Sequence, residues 1–241
     1  MNRAEQIAAH LREVRERVQA ALSAGRRTSG TLCLLAVSKT VPAEDVVAAL
    51  AAGQRDFAES YGQEFRDKHA AVAALVAATP GLPSPRWHFI GPLQSNKVKY
   101  VAGKVALIHS ASSSEILDEI ERKAATLGVA QNCLVQVNVA GETQKSGIAP
   151  ADLESTLDGF ARYAHLRCTG LMVIPPYDEN PELSRPHFVA LRKLRDERRT
   201  RSRTNVQLDN LSMGMSHDLE VAIAEGATII RVGTAIFGAR T

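Results

Sequence analysis

Leu34-Leu35-Ala36-Val37-Ser38-Lys39-Thr40 is an apolar, strand-like run that ends in a lysine, and Val41-Pro42-Ala43-Glu44-Asp45 follows at once. A proline near the first turn with carboxylates close behind it signals the start of a helix. Strand, lysine and helix in that order put Lys39 at the carboxyl end of a buried strand, where α/β folds keep their chemistry. Most lysines in such places merely end a strand and reach water. Whether Lys39 does more depends on what the rest of the chain supplies.

Working outward, the same strand–helix unit recurs along the chain. Further strand patterns fall at about 55–59, 86–90, 105–109, 133–139, 167–174, 207–211 and 228–232, and helical patterns separate them in nearly strict alternation. Eight strands with right-handed crossovers predict a parallel sheet closed into a (β/α)8 TIM barrel, residues 1–241 forming one domain. A doubly wound open sheet is the competing arrangement. Before the first strand, Ile7, Leu11, Val14, Val18 and Leu22 recur at helical spacing, so residues 2–24 are expected to form an extra helix that packs on the barrel, and Gly25 to Gly30 to break it. Little chain follows the eighth strand, and that helix is expected to cover the uncovered side.

Composition narrows the function classes. The chain has 241 residues, 45% of them hydrophobic, enough for one large core. A net charge of +3 is too weak to argue for nucleic acid. The basic run from Leu191 to Arg203 reads as a solvated helix face with one buried edge at Leu191 and Leu194. Cys33, Cys133 and Cys168 sit singly in strand-like runs without zinc-ligand spacing, so reduced thiols, no metal and a cytoplasmic location are expected. No apolar run approaches the roughly 18 residues of a membrane span, and no secretory or transit segment fits the N-terminus. His88 and His109 lie among apolar residues and read as hydrogen-bonded core histidines, and His217 as part of a first helical turn. Lys145 falls in a loop at the functional face with no role derivable from sequence.

The most informative loops follow strands seven and eight: Leu211-Ser212-Met213-Gly214-Met215-Ser216 and Arg231-Val232-Gly233-Thr234-Ala235-Ile236-Phe237-Gly238. In barrels, a phosphate site is often built by these two loops. Ser216 and Thr234 offer hydroxyls, and Gly233 lets backbone N–H groups approach an anion. Strand one adjoins strand eight in a closed barrel, so Lys39 can meet a carbonyl whose phosphate these loops hold. Two chemistries remain: a Schiff-base sugar-phosphate aldolase, or pyridoxal 5'-phosphate (PLP) held as an aldimine.

With Ala36-Val37-Ser38-Lys39-Thr40, Trp87 to Lys97, Lys145-Ser146-Gly147, Gly170-Leu171-Met172 and the two loops above, the sequence resembles the pyridoxal phosphate homeostasis proteins (the YggS/PROSC group). The resemblance runs from about Leu34 to the C-terminus. It implies a barrel of the alanine racemase N-terminal type (PLP fold type III) that holds PLP as an aldimine on Lys39 and acts in intracellular PLP homeostasis rather than catalysis. It further implies that Ser216, Gly233 and Thr234 hold the phosphate, that Arg231 meets the pyridine nitrogen and that Met213 packs near the ring. Where the family usually reads Gly-Glu-Asn-Tyr this chain has Ala58-Glu59-Ser60-Tyr61, so Ser60 replaces an amide near the cofactor. The expected partners are PLP and PLP-requiring apoenzymes, with neither nucleic acid nor membrane, and a monomer is expected. A racemase or decarboxylase is the alternative. Racemisation needs a second base, which related racemases take from an additional domain, and no such domain is expected here.

Overall fold

The computed structural model describes residues 1–24, 32–141 and 146–239. Eight strands, β1 (Cys33–Val37), β2 (Asp56–Glu59), β3 (Arg86–Phe89), β4 (Leu107–Ala111), β5 (Gln131–Gln136), β6 (Leu166–Met172), β7 (Val206–Ser212) and β8 (Ile229–Val232), pair in sequence order. All pairings are parallel, and β8 returns to β1 with Leu35 opposite Arg231. The sheet is a closed barrel, not an open one.

Helices α1 (Arg3–Ala24), α2 (Ala43–Ala51), α3 (Gly62–Ala77), α4 (Val98–Val101), α5 (Ser114–Leu127), α6 (Leu153–Gly159), α7 (Arg185–Arg199), α8 (Leu219–Ala224) and α9 (Thr234–Phe237) precede or join the strands. Their limits follow local chemistry. In α5 the Ser113 hydroxyl accepts from Ile116 N, Gly128 closes the other end in the left-handed region, and Ile116, Leu117, Ile120 and Ala124 form the buried stripe.

Two strands differ from the sequence reading. Val105 is buried but its carbonyl accepts from the Gln131 side chain, and the ladder opens only at Ala106 N–H to Trp87 O, so β4 lies later than its apolar run. β5 stops at Gln136: Val137 N–H still donates to Met172 O, but Asn138 N–H donates to Ile148 O and Ile148 N–H to Gln136 O, so the chain beyond it turns to Ile148. The segment after β8 is not all loop, since α9 follows immediately.

Alternation along the strands separates two cores. Leu35, Val37, Ala58, Leu107, Leu134, Met172 and Ile229 form a small cluster inside the barrel. A larger cluster, including Ala36, Phe57, Phe89, Ile108 and Val135, lies between the strands and the helices. α1 buries Ile7, Leu11 and Val14 and contacts α2, α8 and α9. It thus covers the seam beside β8, as its amphipathic pattern suggested, and Arg3 clips it there by pairing with Asp45 at 2.6 Å and donating to Phe237 O at 2.8 Å.

Candidate functional site at the carboxyl-terminal mouth

Lys39 follows Val37 by two residues, the next inward position of β1, and is partly buried. It sits in a turn closed by Val41 N–H to Ser38 O, with Thr40 at φ 61°. A buried ion network holds this turn. Glu59, fully buried at the end of β2, accepts from the Ser38 hydroxyl at 2.7 Å and from Lys68 Nζ at 2.8 Å. Lys68, on α3, also donates to Ser38 O and to Glu64 Oε1. Burial pushes the Glu59 carboxyl up from its ordinary range, and the Lys68 ammonium opposes that shift. Neither Lys68 nor Glu59 was singled out from the sequence. The pairing of a residue on β2 with one nine positions later on a helix carries no period to find.

Across the β1–β8 pairing lies Arg231, buried to 3% exposure. Its guanidinium donates to Ser212 Oγ at 2.7 Å and to Val173 O at 2.9 Å. Burial lowers its pKa to about 10, which leaves it a cation at neutral pH. Beyond it, Gly233 N donates to Ser216 Oγ at 3.3 Å, and the Thr234 hydroxyl lies 3.3 Å from the same oxygen. Thr234 opens α9, whose first amides have no carbonyl partner within the helix. The sequence-predicted trio of Ser216, Gly233 and Thr234 is therefore one cluster.

The loop carrying Ser216 is fixed by residues the sequence reading passed over. Asp218, fully buried, accepts from Met215 N at 2.6 Å. Gly214 has φ +90°, and a Cβ there would stand 2.5 Å from that of Ala222, so only glycine fits the close packing of this loop on α8. Arg17 on α1 donates to Ser216 O at 3.1 Å. Met213 is fully buried beside this loop. His217 lies in the turn before α8 rather than in its first turn. Ser60 is buried just after β2, at the inward position following Ala58. Lys145 lies outside the described residues, as does the Gly25–Gly30 break.

These residues fit a phosphorylated pyridine aldehyde such as PLP. The Ser216–Gly233–Thr234 cluster has hydroxyls and an amide that would meet its phosphate. Arg231 supplies a buried group that only donates, suited to an unprotonated ring nitrogen. Lys39 stands at the end of the adjoining strand.

The basic run proves to be an ion-pair lattice. Arg203, Arg201 and Arg198 pair with Glu154, Arg203 and Arg201 also with Asp158, and Arg199 with Asp209, while Leu191 is buried and Leu194 partly so. Its charge is largely answered within the chain. Among the described residues, no helix is long and apolar enough to cross a membrane.

A family model described as alanine racemase, N-terminal domain, matches residues 5–241. The pyridoxal phosphate homeostasis protein of Aquifex aeolicus is 45% identical over 230 residues, covering 95% of this chain and 96% of that protein. That of Pseudomonas aeruginosa is 43% identical over 235 residues, covering 97% and 96%. PipY of Synechococcus elongatus, solved with PLP bound, is 34% identical with a TM-score of 0.81, covering 96% of this chain and 100% of that one. The chain belongs to the pyridoxal phosphate homeostasis protein family, a branch of the alanine racemase N-terminal barrels.

Proposed function

We propose that this chain binds PLP at the carboxyl-terminal mouth, covalently through Lys39, and holds it for intracellular PLP homeostasis rather than turning over a substrate. The observation that carries the reading is a juxtaposition of neighbouring strand ends: β1 delivers Lys39, β8 delivers buried Arg231 and then Gly233 and Thr234, and the loop after β7 brings Ser216 to them. PLP bound in PipY and the names of the relatives support it. When bound, PLP supplies an aldehyde for an amine and a ring that withdraws electrons once its nitrogen is protonated.

The chain's own residues determine how much of that chemistry is available. Ser216, Thr234 and the Gly233 amide bind the phosphate, and Met213 and Ser60 line the ring. Arg231 is a cation at neutral pH and has no acceptor, so a proton on the ring nitrogen facing it would put two like charges in contact. Arg231 thereby disfavours the protonated, electron-withdrawing form, which supports holding over turnover. The whole chain acts as one domain, monomeric and cytoplasmic, delivering PLP to PLP-requiring apoenzymes. The answered arginine lattice argues against nucleic acid as a partner.

An absorption spectrum of the purified protein, before and after added PLP, tests the reading. Wild type should show a visible band, and borohydride reduction followed by peptide mapping should place a phosphopyridoxyl mass on the Lys39 peptide. Lys39→Ala should abolish the band. A wild-type protein that stays colourless with excess PLP would refute the assignment, and robust amino-acid racemisation would replace holder by enzyme.

A further inference from the structure

A second feature of the barrel interior has no part in holding phosphate or aldehyde. From Arg231, an unbroken line of short contacts crosses the barrel to its amino-terminal mouth. Ser212 Oγ lies 2.7 Å from Arg231, His109 Nδ1 lies 2.9 Å from Ser212 Oγ, His88 Nδ1 lies 3.1 Å from His109 Nε2, and Asp56 Oδ1 lies 3.1 Å from His88 Nε2. Five residues from β8, β7, β4, β3 and β2 take part. His109 and Ser212 are fully buried and His88 is 5% exposed, among the apolar cluster that fills the barrel. Polar groups placed there at such cost to solvation are kept only when each is satisfied.

The two ends fix the direction of every bond. Arg231 can only donate and ionised Asp56 can only accept. With both imidazoles neutral, one assignment satisfies all four contacts. Arg231 donates to Ser212, Ser212 donates to His109 Nδ1, His109 Nε2–H donates to His88 Nδ1, and His88 Nε2–H donates to Asp56. Burial, with His88 and Arg231 close by, holds His109 well below the ordinary imidazole range and keeps it neutral. Next in the line is His88, which joins His109 to Asp56. Facing it are Asp56 from β2, Cys33 from β1, Arg86 from its own strand and His109 from β4. Burial and the nearby carboxylate push the Cys33 thiol up to about 12, so it stays neutral. Arg86 bonds both oxygens of Asp56. Facing His109 are His88, Ser212 and Arg231, the last also within the field of Asp218.

A proton taken up at His88 reverses the two inner contacts of the line. His88 Nδ1–H then donates to His109 Nε2, His109 Nδ1–H donates to Ser212, and the Ser212 hydroxyl, now accepting from both sides, must turn its own hydrogen elsewhere. The balance is one proton gained from solvent at the amino-terminal mouth, with one proton moved from Nε2 to Nδ1 within His109. We propose that Asp56, His88, His109 and Ser212 are a positioning relay for Arg231, so that protonation of His88 at one mouth of the barrel is felt by the PLP ring at the other. The proposal rests on the PLP reading for its second half only; the relay itself belongs to the protein without ligand.

The test has two arms. In the 15N-labelled protein without PLP at about pH 8, multiple-bond 15N–1H correlation should show His88 and His109 both as Nε2–H tautomers. On acidification His109 should pass to Nδ1–H at the midpoint at which His88 titrates. In the PLP-loaded protein the visible spectrum should shift at that same midpoint. His88→Gln should remove that spectral step, and Asp56→Asn should lower its midpoint by about a unit or more, the usual effect of removing a carboxylate partner. Either variant suffices if the other fails to fold. An Nδ1–H tautomer at either histidine at pH 8 would overturn the relay. A wild-type spectrum indifferent to His88 titration, or a step unchanged in both variants, would overturn its coupling to the ring. A protein with the expected tautomers that takes up no PLP would instead refute the cofactor reading alone.

Discussion

At the scale of single residues, Lys68 shows how the lysine proposed to hold the cofactor can be served by another lysine. Lys39 and Lys68 share one mouth of the barrel, and they are kept distinct by environment. Lys68 is 6% exposed and is bonded to Glu59, Glu64 and the carbonyl of Ser38. A buried pair of this kind adds little net stability, but removing one member leaves the other charge without compensation. Lys68→Met should therefore destabilise the fold by about 3–5 kcal/mol in chemical denaturation. The double variant Lys68→Met with Glu59→Gln should recover much of that loss. A single variant within about 0.5 kcal/mol of wild type would show that the network is not structurally important. The position of Lys39 was legible from sequence because it ends an apolar run directly before a helix start. Lys68 was not, because its helix also carries exposed charges and nothing in the sequence distinguishes the buried one. His88 and His109 were legible as hydrogen-bonded core residues, but their contact with each other depends on the β3–β4 register, which no spacing encodes.

At the scale of elements, the site is the product of two loops held by neighbours. Strand seven ends in a loop fixed by Asp218, Gly214 and Arg17, and strand eight ends in Gly233 at the start of α9. That the two loops meet follows from β7 and β8 being adjacent, which the strand count alone predicted. The missed α9 is four residues long, too short to show a helical period. Removing a hydrogen bond to a charged oxygen costs about 1.5–3 kcal/mol. Ser216→Ala with Thr234→Ala should accordingly weaken PLP binding at least tenfold, while affinity for pyridoxal without its phosphate stays near wild type. Fluorescence titration with both ligands separates the cases, and equal losses would place the phosphate elsewhere. Register slips between β4 and β5 and between β5 and β6 show why strand limits were the least accurate part of the sequence reading. Where Gln131 or Ile148 takes a backbone partner, apolar character and ladder membership part company.

At the scale of the whole molecule, the barrel's two cores carry different risks. The outer one is built of apolar side chains, whereas the inner one surrounds the Asp56–His88–His109–Ser212–Arg231 line. His109 is fully buried and its pKa is held well below the ordinary value. In the unfolded chain it binds a proton near pH 6.5. Below that pH the unfolded state therefore holds a proton that the native state refuses. The stability that His109 contributes is present in full above about pH 6.5 and is lost as pH falls towards its folded pKa. Each unit of pH in that window should cost up to about 1.4 kcal/mol from this one group. Most carboxylates titrate lower, so the interval from about pH 6.5 to 5 isolates the histidines. His69, whose pKa is also lowered by burial and by Lys104, contributes with the same sign. His109→Gln keeps a hydrogen-bonding side chain inside the barrel but has no proton to refuse. Its midpoint of thermal unfolding should be lower than that of wild type at pH 7.5, and the gap should narrow as pH is brought to 5. A gap that stays constant across that interval would mean that His109 takes up its proton as readily in the folded barrel as in the open chain. The neutral imidazole on which the direction of the whole line depends would then not be held there.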